Sequence, residues 1–219
     1  MISLDYLGVV ILSVLAVAMV IWYFKMRKVM ILLMKKVTDD LEKFFKPRDK
    51  SYILLGYLVG YKAIYDLENG DKVYIVYTTV PKYSLLYYPI ARIMGRTDKL
   101  HIAIKPNKRY VVRELHVVNQ ADSRLHAILL KDLGDYANTL SKRELETPMG
   151  KYIVYYKDID DYEFTEKILA NTPITIYKLS AYSRENLVEI IADVSSGNAI
   201  QIAEVLKEFN RKITRGITQ

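Results

Sequence analysis

The chain has 219 residues, about half of them apolar, a net charge of +7 and no cysteine. That length and apolar content allow one sizeable domain or two small ones with a packed core. The absence of thiols excludes disulfides, cysteine-ligated zinc and thiol catalysis, and the basic balance suits an anionic surface, either lipid headgroups or RNA.

Residues Tyr6 to Phe24 (YLGVVILSVLAVAMVIWYF) run for nineteen positions without a charge. As a helix they rise ~28 Å, close to the ~30 Å hydrocarbon core of a bilayer. A cleaved signal peptide would start basic, have a shorter apolar region and end in small residues. Here Asp5 is the only charged side chain before the run, which ends in Trp22-Tyr23-Phe24, side chains suited to a membrane interface. A buried core helix fits poorly, because the run is apolar all round. The expectation is a single-pass transmembrane anchor over residues 1–24. Lys25, Arg27, Lys28, Lys35 and Lys36 follow it, and no Lys or Arg precedes it. The positive-inside rule then puts the N-terminus outside the cell membrane and the C-terminal part in the cytoplasm. Gly8, Ser13, Ala16 and Ala18 are small but do not make a GxxxG motif, and read as lipid-facing filler.

Residues 25–50 read as a basic juxtamembrane amphipathic helix. Met30, Leu33, Met34, Val37, Leu41 and Phe44 recur at helical spacing, and Pro47 ends the segment. Met26, Met30 and Met34 stack on one face, four apart. Methionine suits surfaces that accept varied partners, so these three are the candidate partner or client contacts. The competing reading is a face sunk in the interface or packed on the chain's own domain.

Residues 51–219 read as a cytoplasmic domain. Ile53 to Asp66 and Lys72 to Val80 form a hairpin about Glu68-Asn69-Gly70-Asp71, where Asn-Gly supplies positive φ. Gly56 and Gly60, inside the first strand, suggest a bulge or a close neighbour. Ser84 to Met94 is a short helix with Ser84 as N-cap, a kink or late start at Pro89 and a stop at Gly95. Lys99 to Lys105 and Tyr110 to Val118 are strands. Asp122 to Leu145 is a helix, or a strand followed by a helix from about Leu133. Lys151 to Tyr156 is a strand. Asp158 to Ala170 is a helix with Asp158 and Asp160 at its positive end. Ile174 to Tyr182 and Leu187 to Val194 are paired strands, and Asn198 to Arg215 is an amphipathic helix. Strands and helices mix without a βαβ rhythm, which predicts an α+β fold with a mainly antiparallel sheet. Two lobes divided near 144–150 are compatible with this pattern.

No catalytic or cofactor motif stands out: there is no Walker A loop, GxGxxG, HExxH or GxSxG. His101, His116 and His126 lie among alternating apolar residues, lack metal-ligand spacing and read as satisfied side chains on sheet faces. Asp158, Asp160, Asp161 and Glu163 are the densest acidic group, and read as helix capping and a solvated face. No catalytic residue, cofactor or metal is assigned. On the terminal helix, Lys207, Arg211, Lys212 and Arg215 are the candidate contacts with an anionic surface.

The stretch from Leu55 to Lys105 resembles the cytosolic domain of calumin, the single-pass subunit of the translocon-associated PAT complex. The resemblance is carried by Gly56 and Gly60 in the opening hairpin, Lys82 before the helix, Leu85-Leu86 and Ala91-Arg92 within it, and the strand Lys99 to Lys105. The last third runs parallel: strands near Ile174–Ser180 and Leu187–Val194, the turn Ser195-Ser196-Gly197-Asn198 and a long helix. The family's acidic lumenal region and long charged tail have no counterpart in these residues, so calcium binding does not carry over. The resemblance implies a non-catalytic accessory of membrane-protein insertion, an intramembrane chaperone component of archaeal type. It would act beside a protein-conducting channel and ribosomal RNA with a small multi-spanning, Asterix-like partner. A generic membrane-tethered scaffold is the alternative, and a tethered enzyme the third reading.

Overall fold

The computed structural model describes residues 4–107 and 109–216. The first helix, α1 (Leu4–Phe45), is unbroken over 42 residues, or ~63 Å. No Gly or Pro interrupts it between Gly8 and Pro47, so nothing divides the expected anchor from the expected juxtamembrane helix. It is the one described helix long and apolar enough to cross a membrane by length and composition.

Nine strands then form one antiparallel sheet. They are β1 (Asp49–Gly56), β2 (Gly60–Asp66), β3 (Lys72–Thr78), β4 (Lys99–Lys105), β6 (Leu115–Asn119), β7 (Ser141–Thr147), β8 (Gly150–Tyr156), β9 (Ile176–Tyr182) and β10 (Leu187–Asp193). Their order is β1-β2-β3-β4-β10-β9-β6-β8-β7. A short ribbon pairs β5 (Tyr110–Val112) with β11 (Thr214–Gly216). The helices are α2 (Tyr87–Ile93), α3 (Ser123–Leu133), α4 (Ile159–Asn171) and α5 (Ala199–Ile213), with a 3₁₀ turn over Gly134–Thr139. The α+β class and the mainly antiparallel sheet are as the sequence predicts. The position 144–150, considered as a division between lobes, falls in the β7–β8 hairpin, and the sheet continues across it.

Alternation along the strands builds two layers on the sheet. On one face Tyr65, Ile75, Ile102, Val117, Val154 and Ile190 meet Val37 and Leu41 of α1 and Ile202, Leu206 and Phe209 of α5. On the other, Val118, Ile153 and Tyr155 pack under Leu129 and Leu133 of α3. Helix α1 lies alongside β1 and β2. Arg27 sits over Tyr57 at one end, and Phe45 packs on Tyr65 at the other. Eighteen helical residues and eight strand residues each span ~27 Å, so the two run nearly parallel. One row of strand ends therefore lies beside residues 22–27 of α1, here called the proximal edge, and the opposite row is the distal edge.

Three expectations are corrected. Ile53 to Asp66 is not one strand, because the chain reverses at Tyr57-Leu58-Val59 between β1 and β2. Tyr110 to Val118 breaks at Arg113 and Glu114, since β5 leaves the main sheet to pair with β11. Between Asp122 and Leu145 a helix comes first and a strand last. Asp122 caps α3 by accepting from Leu125 N, a cap that fixes the order and that the periodicity did not reveal.

Candidate functional site

The proximal end is built around the apolar half of α1. Every side chain from Tyr6 to Ile21 is exposed, and the helix first meets the domain at Trp22 and Tyr23. The Trp22 indole donates to the Lys82 carbonyl at 2.9 Å, and the Tyr23 ring meets Tyr83 edge-on at 6.0 Å. The loop that receives them is pinned from behind. Lys82 pairs with the fully buried carboxylate of Asp98, which also accepts from Val80 N. Asp98 lies just before β4, so the pin ties this loop to the sheet.

The methionine face turns inward. Met30 is fully buried, and Met34 is half-buried against the core with Val37 and Leu41. Met26 is half-buried. The three share one face, as their spacing requires, and on it Met30 and Met34 pack against the chain's own domain. Helical spacing marks an apolar stripe without saying what covers it, and unbranched methionine fills the irregular gap between a helix and a twisted sheet.

The basic residues of α5 lie toward the distal end. Lys207, Arg211 and Lys212 are exposed. The Lys207 ammonium stands 5.3 Å from the Phe44 ring centre, and Lys212 stands 5.7 Å from that of Phe164. Lys207 and Arg211 line a groove of about 570 Å³ with Phe44, Glu68, Pro106 and Tyr110. Lys212 lies on another side of the helix, where its carbonyl accepts from Arg113. The Arg215 side chain lies outside the described residues. Of the expected anionic-surface contacts, Lys207 and Arg211 converge and Lys212 stands apart.

The second face of the sheet carries a charged cluster of His101, Lys178 and Glu189. Register places His101 opposite Ile191 and Ile191 opposite Lys178, while Glu189 occupies the next row on that face. Glu189 therefore reaches both diagonally. Its carboxylate accepts from Lys178 and contacts the His101 imidazole, each at 2.7 Å, and the Tyr182 hydroxyl donates to it at 3.2 Å. Burial pushes the Glu189 carboxyl up, but His101 and Lys178 together outweigh it and hold it down to about 2. Nearby, Glu114 contacts buried His116 at 2.7 Å and accepts from the backbone and hydroxyl of Ser183. Burial raises the Glu114 carboxyl, and these hydrogen bonds reverse the shift and lower it. Sequence distance hid the cluster: His101 and Glu189 are 88 residues apart, and only the register joins them.

The arrangement is chemically poor as an active site. The Ser183 hydroxyl is spent on a carboxylate rather than on an imidazole base. His116 has no exposed surface. The third histidine, His126, meets the Tyr155 hydroxyl at 2.8 Å, and burial lowers its pKa. Of the acidic group, Asp158 caps α4 through Asp160 N, but Asp161 is buried and pairs with Arg113 at 2.7 Å, so it is not part of a solvated face.

No protein-family model matches this chain, and no curated protein does. Among solved structures, the crystal structure of the mycobacterial trehalose monomycolate transport factor A, TtfA, aligns with a TM-score of 0.44 and 11% identity. That alignment covers 85% of this chain and 98% of that one. The likeness is too distant to carry a fold or a function to this chain.

Proposed function

We propose that the chain is a single-pass membrane protein whose C-terminal domain stands in the cytoplasm and works by binding, as a non-catalytic accessory of membrane-protein insertion and assembly. The observation that carries the reading is the bare apolar half of α1. From Tyr6 to Ile21 it is exposed and meets no other described element, while the same helix is built into the domain core from Met30 onward. So long an exposed apolar surface is unfavourable in water and satisfied in lipid. The cations at Lys25, Arg27 and Lys28 follow it on the domain side, which supports a cytoplasmic domain.

The position of the α5 cations favours a soluble anionic partner over headgroups. Lys207 sits at the level of Phe44, twenty residues or ~30 Å along α1 from the end of the apolar run. The Debye length at physiological salt is ~8 Å, so attraction to the membrane surface has decayed there. The finer reading, a calumin-like chaperone component beside a channel and ribosomal RNA with an Asterix-like partner, rests on the resemblance of residues 55–105. The order of elements after them supports it. Met30, being fully buried, has no part in it.

Co-sedimentation of gently solubilised membranes with ribosomes tests the reading. Binding is expected at low salt and should weaken as salt rises. Arg211→Glu with Lys212→Glu should cut it by about an order of magnitude while leaving cooperative unfolding unchanged, since both side chains are exposed. Absence of co-sedimentation by the unaltered chain at low salt removes the ribosome from the proposal, and unchanged binding by the double variant removes α5.

A further inference from the structure

Helix α2 carries an apolar face that none of the described residues covers. Leu86, Ile90, Ile93 and Met94 are 61, 53, 87 and 61% exposed. Their spacing of four, three and one puts them on one side of the helix, while Ala91 on the other side is fully buried. A stripe of this kind is stable in water only if something receives it.

The fold says what stands opposite. Helix α2 belongs to the connection between β3 and β4, which leaves the sheet at its proximal edge. Thr78 lies beside Gly60, at the turn whose Tyr57 meets Arg27 of α1. Four and five residues later, Lys82 and Tyr83 meet Trp22 and Tyr23. The chain has thus moved down α1 by about one helical turn, toward the apolar half, before α2 begins. Trp22 and Tyr23 belong to the aromatic triplet that closes that half, at the level where a spanning helix enters the interface. Cations flank the stripe: Arg92 is exposed beside it, and Arg96 just after the helix donates to the Tyr87 hydroxyl.

We propose that α2 lies in the interface of the same bilayer that α1 crosses, with Leu86, Ile90, Ile93 and Met94 buried among the acyl chains. The domain then has two membrane contacts, one spanning and one lying in the plane. Arg92 and Arg96 remain at headgroup level, where anionic lipid strengthens the contact. The pinned Lys82–Asp98 loop holds α2 at a fixed height, so the contact sets the domain's rotation about α1. The proposal rests on the anchor reading, and its test separates the two.

Since the chain has no cysteine, single cysteines can be placed without background. The full chain is reconstituted in phosphatidylcholine–phosphatidylglycerol vesicles with an environment-sensitive fluorophore at Ile93→Cys, Leu15→Cys or Lys142→Cys, and quenched by spin-labelled lipid. Leu15 marks the anchor, and Lys142 is exposed at the distal edge. Blue-shifted emission and lipid quenching at Ile93→Cys severalfold above Lys142→Cys are expected. Quenching at Leu15→Cys with a wet, unquenched Ile93→Cys label would overturn the α2 contact and leave the anchor standing. No quenching at either position would overturn both. An Ile93→Cys label shielded from water yet unquenched by lipid would give the face to a protein and overturn the lipid assignment. Replacing both Ile90 and Ile93 by Glu should restore a wet environment to a label at Met94→Cys.

Discussion

Glu189 shows how a single side chain can be settled by neighbours that the sequence keeps far from it. Burial alone would favour its neutral form, but Lys178 and His101 hold it at about 2, below the ordinary 4.5. A folded pKa below the unfolded one stabilises the fold above the unfolded value, and that contribution is lost as pH falls through the folded value. The drop corresponds to about 3 kcal/mol, complete above about pH 5 and lost between there and about pH 2. Urea unfolding of the full chain in detergent should therefore show stability falling across this window. Glu189→Gln should flatten that slope and cost about 3–5 kcal/mol at neutral pH, because the buried Lys178 ammonium loses its partner. Adding Lys178→Met should recover much of the loss, since it removes the unpaired buried charge. An unchanged acid slope in Glu189→Gln would assign the pH dependence to another carboxylate.

At the scale of elements, the parts legible in the sequence are those that local chemistry alone fixes. The β2–β3 turn is one: Leu67 N donates to the Asp71 carbonyl, and Gly70 takes the positive φ that Asn-Gly anticipates. The cap of α4 at Asp158 and the amphipathic face of α5 are others. What could not be read depends on partners distant in sequence, as with β5, which leaves its apparent strand for β11, and with His101, Lys178 and Glu189. The stretch from Ile53 to Asp66 lies between these cases, because its glycines signalled something that its alternation concealed. Gly60 has φ of 150°, and a Cβ there would lie 1.9 Å from the Tyr77 carbonyl oxygen. Gly56 has φ of 144°, but its Cβ would meet only the Val59 side chain, at 3.4 Å. Gly56→Ala is thus expected to cost about 1–3 kcal/mol of backbone strain, and Gly60→Ala distinctly more because backbone must also move. Chemical denaturation of the two variants checks the order, and equal losses would mean that the β2–β3 approach yields without cost.

For the whole molecule, the decisive feature is that one helix is exposed over its apolar half and built into the core over the other. A boundary at residue 24 separates apolar from basic sequence but does not separate anchor from domain. Met30, Val37 and Leu41 all lie past it and are fully buried in the domain. Each contributes about 1.5–3 kcal/mol by burial, and together they rival the 5–15 kcal/mol net stability of an ordinary domain. Two truncations should consequently behave in opposite ways. Removing residues 1–24 takes away the unpartnered half with little of the core, and should leave a cooperatively folding domain. Such a domain would keep the exposed face of α2 and associate weakly with anionic vesicles. Removing residues 1–45 strips the sheet of its covering helix. It uncovers Tyr65, which packs on Phe45, and takes Val37 and Leu41 out of the main core, and should give an aggregating or non-cooperative product. Circular dichroism and heat denaturation of the two fragments check this. A stable, cooperative fragment beginning after Phe45 would mean that α1 is a tether leaning on the domain, not part of its core.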